Sequence, residues 1–299
     1  MKVLVIGAVD FSLHCLNILN QAGADIVGVV STEQPERYSD YADMEPLCCQ
    51  HGWPFQRVTD INSPVTLDWI GQRQPDVIFC LGWSQLIKTS LLAQPPLGVI
   101  GAHPSLLPHN RGRHPLIWAL VLGLEKTGLS FFQMNEGADT GDILAQSEIP
   151  IGADDNAEDL YEKVKVTAVP LLTELFQALA EGRVQPLPQA ASCGNHWRKR
   201  SKVDGQIDWR MSTKAIHNLV RALHRPYPGA TASYGQTEFV VWQVENVDWP
   251  DAEYEIEYHE PGKILALRDG KPIVKTYDGV LKLKQIEPEL DFTPDTYMD

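Results

Sequence analysis

The chain has 299 residues, 43% of them hydrophobic, enough apolar material for one large domain and a smaller one. Its formal net charge of -14 argues against a general role on nucleic acid or an anionic membrane, because both reward basic surfaces. Small metabolites are the expected partners, and the five cysteines (Cys15, Cys48, Cys49, Cys80, Cys193), odd in number and without a CxxC pair, read as free thiols in a reducing cytoplasm.

From the N-terminus, "KVLVIG", "DIVGVVS", "DVIFCLG" and "GVIGAH" are short apolar runs that predict buried strands. The first of them is too short and too interrupted for a membrane span. Amphipathic stretches such as "FSLHCLNILNQAG" and "TLDWIGQRQ" separate the runs, and this alternation predicts an α/β fold with a doubly wound, mostly parallel sheet. "GLSFFQMN" and "GDILAQSEIPI", divided by a short acidic turn, predict a late hairpin-like pair. "NAEDLYEKVKVTAVPLLTELFQALAEG" has helical spacing, a stop at Gly182 and a kink expected at Pro170. The Pro- and Gly-rich text that follows reads as a linker. Beyond it, "STKAIHNLVRALH" predicts a helix capped by Ser212 or Thr213, and "EFVVWQV", "GKILAL", "PIVKTY" and "VLKLKQI" predict strands. The expected organisation is a catalytic domain over 1–190, a linker over 191–204 and a smaller β-rich domain over 205–299.

"GAVDF" is not a GxGxxG phosphate loop, and GxxxxGK[ST], HExxH and paired CxxC motifs are missing from the sequence, so no metal is expected. What remains is His103, where a strand runs out, and Asp139 in the glycine-flanked turn "EGADTGDI". Strand ends of open α/β sheets are where ligands bind. An imidazole held by a carboxylate is fixed in tautomer and can carry a proton. Read singly, each residue serves equally well as a buried histidine or a turn aspartate.

Together, "HPSLLPHNRGRHPLIWAL" and "TGLSFFQMNEGADTGDILAQ" resemble the folate-dependent formyltransferase family, whose catalytic domain carries H-x-S-L-L-P, R-G, P-x-x-W and A-D-x-G in this order. "IDWRMSTKAIHNLVRALHRPYPGA" is similar to the start of the C-terminal domain shared by methionyl-tRNA formyltransferases and nucleotide-sugar N-formyltransferases. The resemblance implies a Rossmann-like catalytic domain and 10-formyltetrahydrofolate as the formyl donor.

Carried over by motif, His103 matches the family histidine and Asp139 the family aspartate. The family asparagine two residues before the histidine is replaced here by Gly101. That asparagine donates toward the formyl oxygen, and losing one such donor costs about 2.7–4 kcal/mol of transition-state stabilisation. Asn110, a protonated His103 or a bound water are candidate replacements; a non-catalytic binding protein and an inactivated variant are the alternatives. For the folate, the resemblance implies Leu81, Trp83, Leu86 and Ile87 around the pterin, with Asp142 near its ring edge. Plain core packing, on a helix starting after "LGW", is the competing reading of those residues. For the acceptor, Ser105, Arg111, Arg113 and His114 on the loop after His103, with Arg198 and Lys199 of "WRKR", are candidate contacts to a sugar diphosphate.

Methionyl-tRNA and a nucleotide-linked amino sugar are the surviving acceptors. From Val203 to Asp299 there are 10 Lys and Arg against 17 Asp and Glu, a net of -7, the wrong sign for tRNA. The expected activity is therefore N-formylation of a nucleotide-linked amino-deoxy sugar for a surface polysaccharide such as O-antigen. The resemblance also implies a homodimer, and neither membrane nor nucleic acid is expected as a partner.

Overall fold

The computed structural model describes residues 1–190, 193–249 and 256–299. Two compact units emerge: Met1–Pro115, Lys126–Pro150 and Tyr161–Arg198 form the first, and Leu116–Glu125, Ile151–Leu160 and Lys199–Asp299 the second.

The first unit opens with β1 (Lys2–Gly7), α1 (Asp10–Gln21), β2 (Asp25–Thr32), α2 (Glu45–His51), β3 (Phe55–Val58), α3 (Pro64–Gly71), β4 (Val77–Leu81), α4 (Thr89–Leu92) and β5 (Val99–His103). The chain continues through β6 (Arg111–Gly112), α5 (Pro115–Val121), which from Leu116 on is counted with the second unit, β7 (Lys126–Gln133), β8 (Ile143–Pro150), α6 (Ala157–Ala180), whose first four residues are also counted with the second unit, and β9 (His196–Trp197). Seven strands build one sheet in the order β3-β2-β1-β4-β5-β7-β8. β1 to β5 pair in parallel, whereas β7 runs antiparallel to both β5 and β8. The direction of winding reverses between β1 and β4, so the crevice at their carboxyl ends is the expected ligand position for this topology.

Strands covered on both faces must be apolar throughout, and β4 is buried at all five positions. Leu4, Ile6, Ile78 and Cys80 pack with Ile61, Ile70, Ile87 and Leu91 in one cluster. Each such aliphatic side chain contributes about 1.5–3 kcal/mol when fully buried. Ser63 caps α3 through Oγ, which accepts from Thr66 N at 3.2 Å. Pro170 lies within an unbroken α6 and is exposed, on the opposite side from buried Ala168 and Leu172.

Within the second unit, α7 (Thr213–Ala222) precedes β10 (Ala230–Tyr234), β11 (Thr237–Asn246), β12 (Ile264–Arg268), β13 (Lys271–Lys275) and β14 (Val280–Glu287). They form an antiparallel sheet in the order β10-β11-β14-β13-β12, and α7 packs on β11. Ser212 is the cap of α7, accepting from Ala215 N at 3.2 Å, while Thr213 is turned to Asp278. Among the described residues no helix is long and apolar enough to cross a membrane.

The segment after "LGW" departs from the helical reading. Residues 82–88 are irregular, because Gly82 takes a positive φ of 58° and Asn62 bridges this stretch, donating to Leu86 O and accepting from Lys88 N. Only Thr89–Leu92 is helical there.

Candidate active site

His103 closes β5 and is a buried residue, 5% exposed. The loop that follows turns back on itself, held by Ser105 Oγ donating to His109 O at 2.9 Å. This return brings the Asn110 carbonyl to 2.8 Å from His103 Nε2. A carbonyl only accepts, so Nε2 carries the proton and Nδ1 presents its lone pair. Nδ1 lies 3.7 Å from Asp139 Oδ2, within ion-pair range and beyond a hydrogen bond. The tautomer is thus set by Asn110 and not by the carboxylate, which corrects the role expected for Asp139. Proton uptake at Nδ1 produces an imidazolium facing Asp139, the arrangement of a general base with its counter-charge in place.

Asp139 has a positive φ of 57°, in a turn where Asn135 Oδ1 accepts from Gly137 N at 2.9 Å and Thr140 Oγ1 at 2.8 Å. Its Oδ2 accepts from Gly112 N at 2.9 Å. The same oxygen faces His103 Nδ1, so the Gly112 N–H and the imidazole meet at it.

Arg111 does not project toward a substrate. Its side chain is 5% exposed, and the guanidinium donates to Gln189 Oε1 from Nε at 3.0 Å and Nη2 at 2.7 Å, and to Asp139 O and Cys193 O. Ser105 is fully buried and its hydroxyl is committed to His109. Both residues therefore hold the loop rather than a ligand. Leu81 and Ile87 are likewise core side chains, at 0% and 1% exposure, and the Leu81 carbonyl accepts from Ser12 Oγ at 2.7 Å. None of these four reaches a ligand through its side chain without rearrangement.

Other candidates lie at the surface of the first unit. Arg113 is exposed and donates to Ser84 O at 3.3 Å, and Arg198 is exposed at the end of that unit. His114 is half-buried with a positive φ of 55°. Lys199, also exposed, belongs to the second unit. Leu86 is 61% exposed, whereas Trp83 is half-buried with its Nε1 enclosed and without a hydrogen-bond partner among the described residues. The Tyr38 ring lies 6.5 Å from the Trp83 ring. Asp142 is half-buried and its carbonyl accepts from Gln133 N at 2.8 Å.

Residues that sequence reading missed come from the stretch expected to be a linker. β9 pairs in parallel with β6, setting Arg111 opposite His196 and Gly112 opposite Trp197. Gly112 has a φ of 100°, and a Cβ there would lie 2.3 Å from Trp197 O, so the close approach requires glycine. Asn195 Oδ1 accepts from Asn110 N at 2.9 Å. Gln189 and Asn195 carry no periodicity or motif that would have exposed them. Residues 191 and 192, inside the same stretch, lie outside the described residues.

Gly101 pairs with Phe132 across the β5–β7 ladder. A side chain at this position would require its neighbours to shift: a Cβ on residue 101 would lie 2.9 Å from the Phe132 ring and 3.1 Å from Met134 Cγ.

Compared with known proteins, residues 1–175 match the formyl transferase model and residues 199–291 the formyl transferase C-terminal domain model. Among solved structures, WlaRD, a sugar 3N-formyl transferase determined in the presence of dTDP and 5-N-formyl-THF, is 15% identical, with a TM-score of 0.69 over 97% of this chain and 99% of that one. An N-formyltransferase from Helicobacter canadensis, in complex with folinic acid and dTDP-3-aminofucose, is 15% identical, with a TM-score of 0.68 over 95% and 99% of the two chains. A HypX variant from Aquifex aeolicus is 20% identical with a TM-score of 0.67, covering 96% of this chain, which spans 45% of that longer protein. At these identities the likeness is one of fold.

Proposed function

We propose that this chain, which belongs to the formyl transferase family, moves a formyl group from 10-formyltetrahydrofolate to the amino group of a nucleotide-linked amino-deoxy sugar. The observation that carries this reading is the buried His103, its Nε2 on the Asn110 carbonyl and its Nδ1 lone pair 3.7 Å from Asp139. A base so placed suits a reaction in which an amine must lose a proton as it attacks a carbonyl carbon.

The folate supplies the activated formyl group: a bond forms from the amine nitrogen to the formyl carbon, the bond to the folate nitrogen breaks, and one proton passes from the first nitrogen to the second. His103 Nδ1 accepts that proton and returns it, while Asp139 balances the imidazolium charge in between. The developing negative charge on the formyl oxygen needs a donor that Gly101 lacks. The Asn110 side-chain amide is the donor this reading assigns, because its own carbonyl keeps the residue against the imidazole. Asn110 sits at a positive φ of 64°, a conformation asparagine tolerates better than most residues.

The segment after β4 fits a flat heterocycle rich in hydrogen-bonding groups. Trp83 keeps an enclosed indole N–H without a partner among the described residues, and Leu86 offers exposed apolar surface. Trp83 and Leu86 would hold the pterin, and Asp142 would lie by its ring edge. Arg113, His114 and Arg198 remain the candidates for the acceptor's diphosphate. The acidic C-terminal third, with its net of -7, supports a small acceptor over tRNA. A polysaccharide role, a cytoplasmic setting and a homodimer belong to the same proposal.

The test is product mass after incubation with 10-formyltetrahydrofolate and a panel of nucleotide-linked 3-amino and 4-amino sugars, with methionyl-tRNA as a comparison arm. One added formyl on a sugar supports the reading. Formylation of methionyl-tRNA alone, or of nothing in the panel, overturns it.

A further inference from the structure

We propose that Gln189 is a positioning residue that holds His103 and Asp139 at their working separation. All four hydrogen-bonding positions of its amide are engaged on the supports of that pair. Nε2 donates to Asp139 O at 3.0 Å and to Gly141 O at 2.6 Å, fixing the backbone of the acidic turn on both sides of Thr140. Oε1 accepts two bonds from the Arg111 guanidinium, at 3.0 and 2.7 Å.

Arg111 stands between the two residues that touch the pair directly. Asn110, before it, gives the carbonyl that fixes His103 Nε2; Gly112, after it, gives the N–H that fixes Asp139 Oδ2. Anchoring Arg111 therefore anchors both contacts. The guanidinium of a buried arginine is costly unless its donors are satisfied, and here the acceptors are Gln189 Oε1 and the carbonyls of Asp139 and Cys193. Gln189 supplies the only side-chain acceptor among them. Within residues 185–190 every other position is exposed and Gln189 alone turns inward.

The geometric part of this inference stands without any substrate; its catalytic consequence rests on the formyl-transfer reading. The full-length protein is compared with Gln189→Ala, Gln189→Glu and Gln185→Ala by hydrogen exchange in 1H–15N spectra, with no ligand added. Three protons are followed: His103 Nε2–H, Gly112 N–H and the core amide of Phe131.

In Gln189→Ala, exchange of the first two accelerates by about tenfold or more while Phe131 is unchanged. In Gln189→Glu, two oxygens still receive Arg111 but both donors to the turn are lost, so Gly112 N–H exchanges faster and His103 Nε2–H keeps its protection. Gln185→Ala changes none of them. Equal protection in Gln189→Ala and the parent overturns the proposal, as does acceleration of all three protons together, which would mark a general loss of stability. Where formyl transfer is measurable, Gln189→Ala lowers kcat by roughly ten- to a hundredfold with KM little changed. A change confined to KM also overturns the positioning role, whereas absence of transfer by the parent itself bears only on the proposed function.

Discussion

Gly101 and Phe132 face one another across the β5–β7 ladder, and the phenyl ring occupies the space that a side chain at 101 would enter, 2.9 Å from where its Cβ would lie. Phe132 is 3% exposed and packs with Leu107, Ile143 and Met134, so it has little room to withdraw. Gly101→Asn therefore installs the family's residue type without restoring its donor. The variant is expected to be about 1–3 kcal/mol less stable than the parent, and no faster. Urea unfolding and steady-state formyl transfer check both parts; a stable, faster Gly101→Asn would show that the position still serves the reaction.

Asn110 offers the complementary experiment. Alanine there confounds loss of the amide with strain at a φ of 64°, so Asn110→Gly is the cleaner truncation and Asn110→Asp the isosteric loss of a donor. Both are expected to lower kcat by about 10²–10³ while leaving folding intact. Single-turnover rates with unfolding midpoints measured alongside would read this. An undiminished rate in Asn110→Gly would assign the donor elsewhere.

Cysteine reactivity tests the core. Burial pushes the Cys80 thiol up to about 12, and burial together with neighbouring Cys49, Asp43 and Glu45 does the same to Cys48. Cys15 is raised well above its ordinary value by burial alone. Thiolate is the reactive form, so iodoacetamide at pH 8 is expected to label exposed Cys49 and Cys193 and to spare the other three. Peptide mass spectrometry would settle it, and rapid labelling of Cys80 in the folded protein would contradict the packing described.

Asp40 gives a pH dependence of definite sign. Burial raises its carboxyl above the ordinary value, and the hydrogen bond from Tyr161 only partly offsets this. The folded state thus binds this proton more tightly than the unfolded chain. The stability it contributes is present below the ordinary carboxylate value and is lost as pH rises through the raised one. Asp40→Asn keeps an acceptor for Tyr161 and removes the buried charge. It is expected to be more stable than the parent at pH 7, with the advantage shrinking toward pH 4. Urea midpoints at the two values check this; an advantage that does not vary with pH would refute it.

The sheet was legible where physics leaves a local signature. β1, β4 and β5 are covered on both faces and therefore read as unbroken apolar runs, and Ser212 marked the start of α7 by its capping chemistry. His103 and Asp139 were legible because motif and strand end coincide. Arg111 was not, because a charged residue in a loop reads as solvent-facing until tertiary structure encloses it. Gln189 and Asn195 act across 78 and 85 residues of chain, and no short-range pattern encodes such a contact. Residues 82–88 misled in the other direction: their apolar content suggested a helix, while Gly82 and the Asn62 bridge impose an irregular path.

The most direct test of the central claim is tetrahydrofolate release from 10-formyltetrahydrofolate, followed with and without a nucleotide-linked amino sugar, for the parent and for His103→Ala. Release by the parent that depends on the sugar, and that falls by about 10²-fold or more in His103→Ala, is the predicted result. Release that ignores the sugar, or that His103→Ala sustains at the parent rate, would contradict the account.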